Sequence, residues 1–271
     1  MTGPVTGPRE RARLRRILLI WGLRIVALVI VIGAWQISAA TKALDPLFTG
    51  TPSLIAKSLW AQLRTGYFWG NVGVTLEETA FGFVIGAALG MLVGILLYLV
   101  PILYTAFRPL LVALNTAPRV AFAPLFILWF GLGLLSKIAL GVSMAFFIVM
   151  EGTYTGLLQP EREHLLLART LGYKRLKRLR FFVLPSAVPV IAAGLQLALV
   201  YAISAVVVGE FVGGTKGLGV LLSNDANTFD PNSFFACMIV LIVLTVTIAQ
   251  VMKAIEHAML RWHVIEMRGT R

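Results

Sequence analysis

The chain has 271 residues, 58% of them hydrophobic and 13% charged, with mean hydropathy +0.87 and a formal net charge of +12. A soluble domain keeps roughly a quarter of its residues charged, so this composition excludes a soluble enzyme or binding module and indicates an all-α, polytopic membrane protein. The excess Lys and Arg flank apolar runs, which excludes a nucleic-acid-binding face, and the single cysteine, Cys237, excludes a disulfide within the chain.

Crossing a ~30 Å hydrocarbon core takes about 20 apolar residues, and six runs of that kind are predicted to be transmembrane helices: 17–38, 76–99, 102–132, 135–157, 186–209 and 233–256. A basic segment, residues 1–16, precedes the first. This start and Ser38-Ala39-Ala40 have the form of a signal peptide, but the apolar run is too long for one, so an uncleaved span is expected. Arg24 is expected to snorkel to the inner headgroups. Residues 39–75 form an outer segment in which Ile55, Leu59, Trp60 and Leu63 fall at helical spacing. That pattern is an amphipathic helix on the outer surface, or more plainly a packing helix without a special role. Glu77 and Glu78 are placed at the outer start of the second span, where they cap or solvate it. Gly82, Gly86, Gly90 and Gly94 repeat every four residues along that span. Such a stripe suits close helix packing, at a seam between copies or within one subunit. The third run is broken by Pro109, Pro118 and Pro124, and its first part is assigned to the inner headgroup region.

Counting Lys and Arg sets the orientation. With the N-terminus inside, the inner segments hold seventeen and the outer ones five: Lys42, Lys57, Arg64, Lys137 and Lys216. Both termini, including the tail 261–271, and the loop 158–185 are therefore placed in the cytoplasm. That loop runs through Leu165, Ala168, Gly172, Leu176 and Leu179 near one helical face and ends at Leu184-Pro185, a proline tolerated in a first turn. Gly172 marks a turn or helix end, since only glycine takes positive φ at little cost. Composition alone leaves two readings: a loop that merely orients the protein, or a platform for a partner. Lys174, Arg175, Lys177, Arg178 and Arg180 suit phospholipid headgroups.

No catalytic set is visible. His164, His257 and His263 lack metal-ligand spacing or a paired nucleophile. Gly213-Gly-Thr-Lys-Gly-Leu-Gly219 lacks the spacing of a phosphate loop. Polar groups within the spans are the candidates for a solute path, because intramembrane charge is costly and usually faces a cavity or partner. They are Asn115, Arg119, Glu151, Gln196, Tyr201, Ser204 and Glu210. Arg119 follows a proline that frees backbone carbonyls, an arrangement tolerated where backbone lines protein or water. An internal ion pair with Glu151 is the structural alternative.

Ala168-Arg-Thr-Leu-Gly172, followed by Leu184-Pro185, resembles the EAA loop of ABC importer permeases. Pro118-Arg-Val-Ala-Phe-Ala-Pro124 through Gly133, with Ser136-Lys137, resembles the third-span signature of the nitrate/sulfonate/taurine branch. Gly209-Glu-Phe211 through Gly217-Leu-Gly219 resembles that branch's outer turn. In place of Glu-Ala-Ala the chain has Leu166-Leu167-Ala168, and Glu163 lies one turn earlier.

The resemblance implies a type I permease core of five helices over 76–260 and a bacterial inner-membrane location. It also implies a second permease copy forming a homodimer, two cytoplasmic ATPases that carry ATP and Mg, and an outer or periplasmic substrate-binding protein. No cofactor is expected on this chain. Leu165, Leu166, Leu167, Ala168, Arg169, Gly172, Leu184 and Pro185 would form the ATPase-coupling loop. The solute expected is a small anion such as a sulfonate, nitrate or a carboxylate. Two alternatives stand beside this reading. A vitamin-type coupling subunit also docks through Ala-Arg motifs, although here the motif continues to Thr170. A self-sufficient secondary transporter would need internal repeats and a coupled ion site.

Overall fold

The structure, a computed structural model, describes residues 8–43, 45–159 and 170–259. Every element among them is helical. In chain order they are α1 (Pro8–Ala40), α2 (Pro46–Thr49), α3 (Pro52–Leu63), α4 (Gly66–Leu99), α5 (Pro101–Thr116) and a 3-10 turn (Arg119–Phe122). There follow α6 (Ala123–Phe130), α7 (Leu134–Leu157), α8 (Arg175–Arg178), a π turn (Leu179–Val183), α9 (Leu184–Gly213), α10 (Leu218–Asn227) and α11 (Pro231–Met259). Five helices are long and apolar enough to cross a membrane, and a sixth span is completed if α5 and the Arg119–Phe130 stretch, bent 81° from it, count as one.

The chain divides into two compact units. The first holds residues 1–62 and 225–236. Within it the Asn232 side chain accepts from the Thr51 N–H at 3.0 Å, and Gln36 accepts from the Ser53 N–H at 3.1 Å. Gln62 donates to the Ser233 carbonyl at 3.3 Å. On α3, Ile55 is buried, Leu59 and Leu63 are half-buried, and Trp60 is exposed.

The second unit, residues 63–224 and 237–271, is built on α4, α7 and α9. The glycine stripe of α4 seats against α7. A Cβ at Gly90 would stand 2.6 Å from the Phe146 carbonyl oxygen, and one at Gly86 would stand 2.8 Å from the Ala145 Cβ. This contact lies inside one subunit. Small side chains let the backbones approach closely, which suits helices that gain nothing from water exclusion in lipid. Ala87, Ala145, Val149, Ala198 and Ala202 then fill the centre of the three-helix layer.

Two positions differ from the sequence expectations. Helix α4 starts at Gly66 rather than near 76, because Thr65 caps it by accepting from the Phe68 N–H at 3.3 Å. Glu78 is consequently buried well inside the helix and not a solvated cap. Lys137, counted among the outer charges, is 1% exposed within α7. The remaining Lys and Arg keep the same asymmetry.

Candidate translocation cleft and a buried polar cluster

Pro118 shapes the first site. It disfavours helix at the preceding residue, and Ala117 is extended (φ −60°, ψ 136°), so α5 stops and the chain turns away. The last carbonyls of α5 then lack helical partners. Arg119 folds back over them. Its Nε donates to the Leu114 carbonyl at 3.4 Å, and its Nη2 donates to the Asn115 carbonyl at 3.2 Å and the Asn115 Oδ1 at 2.6 Å. The guanidinium also lies 4.2 Å from the centre of the Phe147 ring, a favourable cation–π arrangement. Arg119 is 8% exposed, and among the described residues its Nη1 has no hydrogen-bond partner.

A cleft of about 420 Å³ opens beside this bend, bordered by Asn115, Pro118, Arg119, Met144, Ile148 and Tyr201 among others. On α9, Leu197, Tyr201 and Ser204 are exposed at one-turn spacing, and the first two reach the cleft. Three sequence candidates therefore meet here: Asn115, Arg119 and Tyr201. Four do not line it. Glu151 and Gln196 are half-buried elsewhere, Ser204 donates to the Val200 carbonyl at 3.0 Å, and Glu210 belongs to a separate cluster. Arg119 is hydrogen-bonded by the amide and carbonyls at the end of α5 and keeps its charge, and it forms no ion pair with Glu151.

That cluster lies at the end of α9 opposite Leu184. Glu210 accepts from the Thr75 hydroxyl and from the Gly219 N–H, each at 2.7 Å. Thr75 accepts from the Leu218 N–H at 2.9 Å, and Asn71 accepts from the Gly217 N–H at 2.7 Å. From α7, the Lys137 ammonium donates to the Gly213 carbonyl at 2.8 Å and to the carbonyls of Leu132 and Gly133. Asn71, Thr75, Glu78 and Lys137 were not among the sequence candidates. Ionisable side chains in apolar segments were the available signal for two of them.

At the other end of α9, Leu184 and Pro185 follow the π turn, and Leu179, Val183, Ala187 and Ile191 close on Leu157. The Arg175 guanidinium donates to the Tyr98 carbonyl at 3.3 Å. Gly172 has φ +70°, the left-handed conformation that favours glycine. Leu165, Leu166, Leu167, Ala168 and Arg169 lie outside the described residues. Among the described residues no group of three His, Cys, Asp or Glu side chains is placed to hold a metal.

The model of the family described as binding-protein-dependent transport system inner membrane components matches residues 86–261. The riboflavin transport system permease protein of Chloroflexus aurantiacus is 31% identical over 88% of either chain. The putative aliphatic sulfonates transport permease protein of Bacillus subtilis is 30% identical, over 89% of this chain and 88% of its own. The formylaminopyrimidine transport permease protein of Halalkalibacterium halodurans is 32% identical, over 84% of this chain and 90% of its own. Among solved structures, an inward-facing MetNI methionine ABC transporter superposes with a TM-score of 0.57 at 20% identity, covering 79% of this chain and 98% of that one.

Proposed function

The chain belongs to the family of binding-protein-dependent transport system inner membrane components, as a transmembrane permease subunit of an ABC importer, and we propose that the cleft at Asn115, Arg119 and Tyr201 is its share of the solute path. Family membership displaces the secondary-transporter reading. The observation that carries the cleft assignment is Arg119: a nearly buried guanidinium beside open volume, with Nη1 unclaimed among the described residues. Such a group suits a solute with an anionic or acceptor edge, and Met144, Ile148 and Leu197 suit an apolar body. A small sulfonate, nitrate or carboxylate fits that chemistry. Relatives named for aliphatic sulfonates and taurine support an anion, whereas those named for riboflavin and formylaminopyrimidine accompany a wider range.

In this reading two copies of the chain face each other with both termini in the cytoplasm. Two ATPases holding ATP and Mg dock on the loop 158–185, and an outer binding protein delivers the solute. Residues 1–16 and 261–271 are cytoplasmic flanks, 17–38 is the first span, 39–75 is the outer segment, and 76–260 is the permease core. Within the loop, Leu165, Leu166, Leu167, Ala168 and Arg169 would enter the ATPase groove. Gly172 would turn the chain, and Leu184-Pro185 would pass the movement to α9.

The test is ATP-dependent accumulation by proteoliposomes holding the purified complex and its binding protein, with taurine, an alkanesulfonate, nitrate and a formylaminopyrimidine as probes. An accumulated anion whose uptake falls about tenfold or more in Arg119→Gln, the loss of one charged hydrogen bond, supports the assignment. Uptake of the neutral probe alone, or anion uptake indifferent to Arg119→Gln, overturns it.

A further inference from the structure

The solute cleft makes no use of Glu210, although the residue stands in a recognisable motif and is 1% exposed. Its bonds explain the motif. The three successive N–H groups of Gly217, Leu218 and Gly219 end on Asn71, Thr75 and Glu210 respectively. These are the donors left free at the start of α10, and side chains of α4 and α9 satisfy them. Gly217 has φ +113°, and a Cβ there would collide with the Glu210 carboxylate. Only glycine lets the turn close onto that group.

The same turn adjoins the two elements, α9 and α6, that lead to the cleft. Glu210 lies nine residues after Tyr201 on α9, a rise of roughly 13 Å. The turn begins at Gly213, whose carbonyl is held by Lys137 and whose Cα packs beside Ile127 and Leu132. Ile127 is on α6, whose 3-10 lead-in carries Arg119. Further along the core α4, α7 and α9 meet through the apolar side chains of Ala87, Ala145, Val149, Ala198 and Ala202. The polar cluster adds directional bonds that such packing does not: the N–H groups of Gly217, Leu218 and Gly219 each have one defined acceptor, which specifies the conformation of the turn.

We propose that Glu210 is a positioning residue of the transport cycle: bonded to Thr75 and to the Gly219 N–H, and alongside Asn71 on the Gly217 N–H, it holds the turn Gly214–Gly219 shut against α4, so that the cleft is closed to the outside in the resting subunit. This rests on the importer reading, which supplies the direction of the membrane. Glu210 acts on the turn and does not touch the solute.

The test is labelling from outside, in right-side-out vesicles, of a Leu197→Cys reporter in the cleft. The probe is a membrane-impermeant maleimide, the background is Cys237→Ala, and the chain is co-expressed with its ATPase. Thr75→Val removes the hydroxyl that bonds both Glu210 and Leu218. Labelling is expected to rise about fivefold or more, the ratio set by one to two lost buried hydrogen bonds. Thr75→Ser, which keeps the hydroxyl, is expected to restore the slow rate. Equal labelling in Thr75→Val and the parent overturns the proposal. So does labelling of Ala187→Cys, buried at the other end of α9, in step with the reporter, because that marks general unfolding. If Thr75→Val does not accumulate, Asn71→Ala, which frees the Gly217 N–H and removes the donor to the Tyr67 carbonyl within α4 but leaves the Glu210 bonds in place, carries the same comparison. ATPase co-purification with the parent chain is scored separately. Its absence sinks the importer reading, whereas unchanged labelling with the ATPase present sinks only the role of Glu210.

Discussion

Thr75 and Glu210 lie 135 positions apart and share a 2.7 Å hydrogen bond inside the α4–α7–α9 layer. The bond closes a network in which Lys137 supplies the cation from the third helix. Burial makes such a set costly to break, since removing one partner strands the rest.

Lys137→Ala therefore takes the ammonium from the carbonyls of Leu132, Gly133 and Gly213, of which Gly133 keeps the Ser136 hydroxyl as donor, and removes the cation facing Glu78 and Glu210. A loss on the order of 3 kcal/mol is expected. Thermal inactivation of the purified protein in detergent should show it as a midpoint several degrees lower. An unchanged midpoint contradicts the network's structural weight.

The glycine stripe gives an internally controlled comparison. Gly90→Ala would drive a methyl into the Phe146 carbonyl and pry α4 from α7, an overpacking cost of about 1–3 kcal/mol. Gly73→Ala, on the same helix with nothing within 4 Å of its Cβ, should be neutral or stabilising by up to about 1 kcal/mol. Fluorescence-detected size exclusion on the two variants reads the difference as loss or retention of monodisperse protein.

Asp225, outside the spans, has its carboxyl pushed up to about 6 by burial and by the neighbouring charge of Asp230. Its Oδ2 is buried with no hydrogen-bond partner among the described residues. The folded chain thus holds this proton more tightly than the unfolded chain, whose ordinary value is 3.8. The stabilisation is full below that value and is lost as pH rises through about 6. Asp225→Asn should raise the melting midpoint at pH 7.5, leave it unchanged at pH 4, and flatten the profile between. A profile unaltered by the substitution would refute the assignment.

Gly172 separates docking from folding. Among the described residues no atom beyond its chain neighbours lies within 4 Å of a Cβ built there, so a side chain at this position starts into open space. Its positive φ favours Gly and is tolerated by Asn. Gly172→Trp is expected to lose co-purifying ATPase while the permease still inserts. Gly172→Asn should keep most of it. Equal recovery of ATPase with both variants places the docking surface elsewhere.

Hydropathy made the spans legible, because that signal is local. Arg119 and Asn115 were legible for the same reason: four residues apart beside a proline, they meet at one helix end. The outer cluster was not. Glu78 resembled a solvated cap because the start of α4 was set by apolar content, and Asn71, Thr75 and Glu77 lower that content just where the Thr65 cap begins the helix. Lys137 resembled a loop charge because its acceptor at Gly213 lies 76 positions away. Neither partner can be inferred from local spacing.

Leu184 and Glu210 stand on one continuous helix, the first beside the basic loop and the second in the far cluster. Each residue of an α-helix turns the chain by about 100°. Deleting one residue between them would swing Glu210 away from Thr75 or Leu184 away from its apolar seat, and no side-chain change at either end would restore both. The length of this stretch is therefore fixed to the residue.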